Sequence, residues 1–165
     1  AVRLLQERGI AISDEAIRKG LAEVCSMTGL MGRWQTIDEK PLTICDTGHN
    51  VGGMQYIVRQ LQQTPHKRLH IVIGMVNDKD VDSVLRLLPT DAIYYFTQAS
   101  VKRAMPAEEL ARKASHLQGA EEGAFQDVPS AYRAAKRNAT TDDLIFIGGS
   151  TFVVADLLAD ILPSE

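Results

Sequence analysis

Cysteine is scarce. Cys25 and Cys45 both lie in apolar stretches and supply neither a disulfide framework nor metal-ligand spacing. Such usage fits a reducing cytoplasm. No run approaches the ~18 apolar residues of a membrane-spanning helix, so no membrane association is expected. Aromatic residues are only 5% of the chain, and 18 basic residues stand against 21 acidic ones, a net charge of −3. With no basic stripe carrying aromatics, a nucleic-acid partner is not expected. G-x-G-x-x-G, G-x-x-x-x-G-K-[ST] and G-x-S-x-G are all missing. The chain therefore lacks the usual triphosphate cradle and the hydrolase nucleophile elbow. It has no internal repeat and no low-complexity tract. It begins at Ala1 within a helical pattern and shows no signal peptide, as expected of a fragment from the C-terminal part of something longer.

What is present is ordinary globular material. Of 165 residues, 45% are apolar and 24% charged. A chain of this size buries roughly two thirds of the surface its unfolded form exposes, enough for a core without staples. Residues 1–31 read as a short helical appendage. Val2, Leu4 and Leu5 precede a stop at Gly9, and Ser13 caps a second helix carrying Ile17, Leu21 and Val24. From Gly32 onward the rhythm changes. Strands are expected at Trp34–Ile37, Leu42–Cys45, Arg68–Gly74, Ala92–Thr97, Ala124–Phe125 and Asp143–Gly148. Helices are expected at Asn50–Gln63, Asp80–Leu88, Ala107–Leu117, Val128–Asn138 and Thr151–Leu162, with Asp78 as the cap of the second. Continuous apolar strands alternating with helices predict an α/β fold: a Rossmann-like, mostly parallel sheet of about six strands with helices on both faces.

In such sheets ligands bind beyond the carboxyl ends of the strands. Three segments fall there. In Asp46-Thr47-Gly48-His49-Asn50, the aspartate follows a strand and a helix opens behind it. Asp46 is either a ribose acceptor or a capping acid, and His49 is either a phosphate donor or a surface histidine. The pair could also ligate a metal, but no third ligand is in view. In Gly32-Arg33-Trp34-Gln35, Arg33 is either a bidentate phosphate clamp or a hinge arginine in a surface salt bridge. In Gly148-Gly149-Ser150-Thr151, Ser150 is a helix N-cap, an anion-binding hydroxyl, or both. Arg103, before Met105-Pro106, reads mainly as surface. His66, His70 and His116 are scattered, and Cys45 reads as inert core.

These three segments, together with Gly74-Met75-Val76-Asn77-Asp78-Lys79-Asp80 and Arg103-Ala104-Met105-Pro106-Ala107-Glu108-Glu109-Leu110, occur in an order that resembles the C-terminal region of bacterial folylpolyglutamate synthase/dihydrofolate synthase, in the Mur ligase family. The resemblance runs from about residue 1 to the end. It departs at Val51, where the family often has proline, and at Thr47-Gly48. It implies that residues 1–31 are the helical tail of an upstream ATPase domain and residues 32–165 the C-terminal α/β domain. It implies an ATP-dependent acid–amino-acid ligase in which ATP phosphorylates a folate carboxylate and the amine of glutamate attacks the acyl phosphate.

The resemblance also assigns roles. Arg33 and His49 are the expected catalytic residues, Arg33, Asp46, His49 and Asn50 the ATP-binding residues, and Ser150 the glutamate-binding residue. ATP and Mg2+ are the implied cofactors, with the P-loop and the metal ligands in the upstream domain and none expected here. The implied partners are folate or dihydropteroate, L-glutamate, ATP and the protein's own ATPase domain, in a cytoplasmic monomer. The fragment alone is expected to be inactive. Two alternatives remain: the C-terminal domain of a cell-wall precursor ligase of the Mur type, and a non-catalytic nucleotide-binding module.

Overall fold

A computed structural model describes residues 1–77, 80–117 and 123–162. Three short helices come first: α1 (Val2–Glu7), α2 (Asp14–Ala22) and α3 (Val24–Thr28). The single helix expected from Ser13 onward is broken at Glu23, whose φ of −104° and ψ of 12° leave the helical basin. Ser13 caps α2 as expected, its Oγ accepting the Ala16 N–H at 3.0 Å. None of the three helices contains a buried residue, and Leu4, Leu21, Met27 and Met31 are exposed. Nothing in this segment anchors it through a core of its own.

The remainder alternates strand and helix: β1 (Gln35–Glu39), β2 (Leu42–Asp46), α4 (Val51–Gln63), β3 (Leu69–Ile73), α5 (Val81–Leu85), β4 (Ile93–Thr97), α6 (Ala107–Lys113), β5 (Ala124–Phe125), α7 (Val128–Asn138), β6 (Leu144–Gly148) and α8 (Thr151–Ile161). The sheet order is β1-β2-β6-β3-β4-β5. β1 and β2 form an antiparallel hairpin that turns at Lys40-Pro41, a cis peptide, and every other pairing is parallel. All five residues of β3 and of β6 are buried, as apolar strands covered on both faces require.

Side-chain alternation sorts the core into two layers. Ile71, Ile73, Phe96 and Phe146 meet Met54, Ile57 and Leu61 of α4, Val84 of α5 and Leu110 of α6. Val72, Ile145 and Ile147 meet Ala131 and Ala135 of α7 and Val153 and Leu157 of α8 on the opposite face. Helices α5 and α6 end earlier than their periodicity predicts. Each closes in tighter i→i+3 turns, Leu88 N–H to Leu85 O at 3.2 Å and Leu117 N–H to Ala114 O at 2.9 Å. These turns carry Leu88 and Leu117 into the core, where both are buried. The cap of α5 is Asp80, which accepts the Ser83 N–H at 3.1 Å. Asp78 lies outside the described residues.

Candidate functional site

The parallel pairing of β2 with β6 sets Asp46 opposite Gly148 at the carboxyl edge of the sheet. That register brings the ends of two strands, a hundred residues apart in sequence, to one place. Beyond Asp46 the chain enters α4, whose N-cap is Asn50, with Oδ1 accepting the Gly53 N–H at 2.8 Å. Beyond Gly148 it enters α8, whose N-cap is the buried Ser150, with Oγ accepting the Phe152 N–H at 3.2 Å. Both helices therefore begin with side-chain caps at the same edge and present their remaining N–H groups there. Gly149 makes the second turn possible. Its φ is +88°, and a Cβ would lie 2.7 Å from Ile73 Cγ1 and 2.8 Å from Gly74 O.

Gly32 and Thr47 join the appendage to this edge through a hydrogen bond from Thr47 N–H to Gly32 O at 2.9 Å. The Asp46 carboxylate accepts the Gly48 N–H at 2.7 Å on one oxygen and the Trp34 N–H at 2.8 Å on the other. Asp46 is thus not a helix cap; Asn50 fills that position. His49 Nδ1 lies 2.9 Å from Thr47 O. Since a carbonyl only accepts, Nδ1 carries the proton and Nε2 is the ring nitrogen left for a ligand. Arg33 is exposed, and its guanidinium makes no hydrogen bond or ion pair among the described residues. The surface salt bridge of the hinge alternative is not formed among those residues.

Two neighbouring loops complete the edge. Val76 and Ala104 form an antiparallel bridge, supported by Met105 N–H to Met75 O at 2.8 Å, so the loops after β3 and β4 run together. Arg103, in the second of them, stacks over the Phe152 ring in the first turn of α8, its guanidinium carbon 4.9 Å from the centroid. A groove of about 560 Å³ runs between Met31 and the outer face of α8. Val154 and Leu158 make its apolar floor, and Thr47 and Thr151 stand at its polar rim. An apolar wall beside a few convergent polar groups is the composition of a ligand pocket. Cys45, next to Asp46, is fully buried, and burial followed by the Asp46 charge pushes its thiol up to about 12. It is inert, as its strand position predicts. Among the described residues no three His, Cys, Asp or Glu side chains are grouped to hold a metal. No helix there is long and apolar enough to cross a membrane.

The opposite edge of the sheet holds a polar cluster that sequence spacing does not reveal. Asp143, fully buried, accepts from Arg68 Nη2 at 2.8 Å and from Thr140 N–H at 2.7 Å. Burial pushes its carboxyl up, but the Arg68 and Thr140 donors outweigh that and hold it well below the usual carboxylate range. His70 Nε2 stands 3.4 Å from the same oxygen, and its Nδ1 is 3.1 Å from Tyr95 Oη. Residues 68 and 143 are neighbours only because Leu69 pairs with Leu144 across β3 and β6. This cluster ties the strand starts together and lies away from the candidate site.

A parallel sheet with its strand ends, helix N-termini and free guanidinium on one edge is the arrangement by which open α/β domains take anionic ligands. Residues 32–151 match the Mur ligase glutamate ligase domain, and the chain belongs to that family. It is 31% identical over 160 residues to the dihydrofolate synthase/folylpolyglutamate synthase of Escherichia coli K12, covering 96% of this chain. It spans only 36% of that relative's length. The structure of Escherichia coli FolC in complex with DHPP and ADP superposes with a TM-score of 0.83 at 29% identity, over 97% of this chain and 37% of that one. A bifunctional folylpolyglutamate synthase/dihydrofolate synthase with Mn, AMPPNP and L-glutamate bound gives 0.80 at 34% identity, over 96% and 37%.

Proposed function

We propose that this chain is the C-terminal domain of an ATP-dependent amide ligase that adds glutamate to a folate through an acyl phosphate, with residues 1–31 continuing an upstream ATPase domain. The observation that carries the proposal is the Asp46–Gly148 register, which brings the loops of Asp46, His49, Asn50 and Ser150 to one sheet edge, where the Gly32–Thr47 and Trp34–Asp46 hydrogen bonds tie the Arg33 turn. The similar proteins are named for folate chemistry, and two of the solved structures hold adenine nucleotides, one of them together with glutamate.

In this reading Arg33, Asp46, His49 and Asn50 serve the nucleotide. The Arg33 guanidinium contacts the transferring phosphoryl group, where charge grows as the bond to the leaving oxygen lengthens. His49 stacks on a ring or, where Nε2 carries a proton as well as Nδ1, donates from Nε2 to a phosphate oxygen. The N-terminus of α8, capped by Ser150, receives a carboxylate of the incoming glutamate, whose negative charge suits the helix dipole. The divalent metal seen in a relative would neutralise phosphate charge, with ligands from outside this chain. The folate or dihydropteroate pocket and the P-loop are assigned to the upstream domain as well.

The test is an assay of the intact gene product with ATP, L-glutamate and either dihydropteroate or tetrahydrofolate. ADP release that requires both glutamate and a pterin substrate is expected. Turnover with a cell-wall precursor and none with folates would overturn the substrate assignment.

A further inference from the structure

The turn Gly32–Arg33–Trp34 adopts a conformation that its residues would not hold alone. Gly32 has φ +71°, and a Cβ there would meet Thr47 Cγ2 at 2.8 Å and Val154 Cγ1 at 2.9 Å. Trp34 has φ +42°, in the left-handed region that a bulky side chain rarely enters. Such an outlier persists only where its surroundings over-determine it. Here they do. The half-buried Trp34 ring packs against the core beside Phe146, ring centroids 6.5 Å apart. The Gly32 N–H is taken by Gln35 Oε1 at 2.7 Å, and the Trp34 N–H by Asp46 Oδ2 at 2.8 Å. Between these two fixed residues stands Arg33, whose guanidinium is free among the described residues.

Asp46 holds this turn and, through the Gly48 N–H, the His49 loop with the same carboxylate. Each of its oxygens already receives one backbone N–H. We infer that Asp46 is a positioning residue: its carboxylate fixes the left-handed Arg33 turn against the His49 loop and so sets where the Arg33 guanidinium stands toward a phosphate. The inference rests on the reading of Arg33 as a phosphate-binding group. It gives Asp46 a part in phosphate recognition distinct from accepting a sugar hydroxyl.

Asp46→Asn separates the two. Trp34 and Gly48 donate to different oxygens of Asp46, and asparagine replaces one of these with an NH2 that cannot accept, so one of the two N–H groups loses its partner. Trp34 is the sole tryptophan of the chain and reports directly. In Asp46→Asn its amide should exchange faster by NMR than the amides of α4, and its emission should shift to the red. The intact gene product is then titrated with adenine, adenosine and ADP. The preference for ADP over adenosine should fall about tenfold or more, the scale of one charge-assisted hydrogen bond. Arg33→Ala should lose the same preference, and the double variant no more than either alone.

An unchanged ADP preference in Asp46→Asn, or losses that multiply in the double variant, would overturn the positioning role. So would a loss confined to adenosine against adenine, which marks a direct sugar contact. If the wild type binds no nucleotide, the ligase reading fails. The phosphate part of the inference falls with it, whereas unchanged Trp34 exchange and emission in Asp46→Asn would overturn the hold of Asp46 on the turn itself. Should Asp46→Asn not fold, Gln35→Ala frees the other end of the same turn and should reduce the ADP preference in the same direction.

Discussion

Asp156 on α8 binds Ser100 twice: the Ser100 N–H donates to Oδ2 at 2.7 Å and the Ser100 hydroxyl to Oδ1 at 2.8 Å. One carboxylate thus fastens the β4–α6 loop to the helix that begins at Ser150. Arg103, in that loop, stacks on Phe152 one turn earlier in the same helix. The two contacts hold the loop against α8 from separate points. Asp156→Ala should loosen residues 98–106 and cost about 1 kcal/mol, since the hydroxyl pair is solvent-exposed. Hydrogen exchange should accelerate in that loop while β4 and β6 stay protected. Uniform acceleration across the sheet would mean that Asp156 supports the whole core.

Arg33→Ala in the intact gene product should damage rate more than folding. The side chain is exposed and unpaired among the described residues, so its removal leaves no buried partner stranded. If it stabilises charge on the phosphoryl group in the transition state, kcat should fall roughly 10²–10³-fold. Lys should restore only part, because an ammonium cannot form the planar two-point contact. Wild-type kcat with unchanged melting would remove Arg33 from the chemistry.

Ser150 has a structural and a proposed ligand role, and substitution can divide them. Ser150→Ala removes the cap on the Phe152 N–H and should cost about 1 kcal/mol, whereas Ser150→Gly should cost only a few tenths. Both lose the hydroxyl, so both should raise KM for glutamate if that hydroxyl touches the amino acid. A glutamate KM that tracks stability, rising in Ala and not in Gly, would make the serine a cap alone.

The Asp143 cluster carries a pH signature. Its carboxyl is held below its unfolded value by Arg68 and Thr140. The folded state therefore binds its proton less readily, and the resulting stability is present at neutral pH. It is lost as pH falls below the unfolded value of ~3.9 and continues to be lost down to the depressed folded value. Asp143→Asn should flatten the acid limb of a stability-versus-pH curve. Asp143→Ala leaves the Thr140 N–H without its acceptor, while the half-exposed Arg68 turns to water, and should cost about 2 kcal/mol at neutral pH, seen in denaturant unfolding. An acid limb identical to wild type in Asp143→Asn would place the proton linkage elsewhere.

Much of this chain is written locally. Residues 128–138 form α7 because Asp127 caps them, a first-turn proline fits and apolar spacing continues, and α6 follows Pro106 with Glu108 and Glu109 in its first turn and Arg112 and Lys113 in its last, all within a few residues of one another. Ser13, Asn50 and Ser150 cap their helices for the same reason. The α/β class follows from apolar strands too continuous to face water. Strand order does not. β6, last in sequence, lies between β2 and β3, because only there are both its faces covered, by α4 and α5 on one side and α7 and α8 on the other. That placement puts Asp46 opposite Gly148 and Arg68 beside Asp143, pairs that no spacing encodes. The left-handed Trp34 is hidden for the same reason: its cause is a carboxylate twelve residues away. Which residues could serve a site was readable from their chemistry and loop position. Which of them meet was decided when both faces of one sheet were buried together.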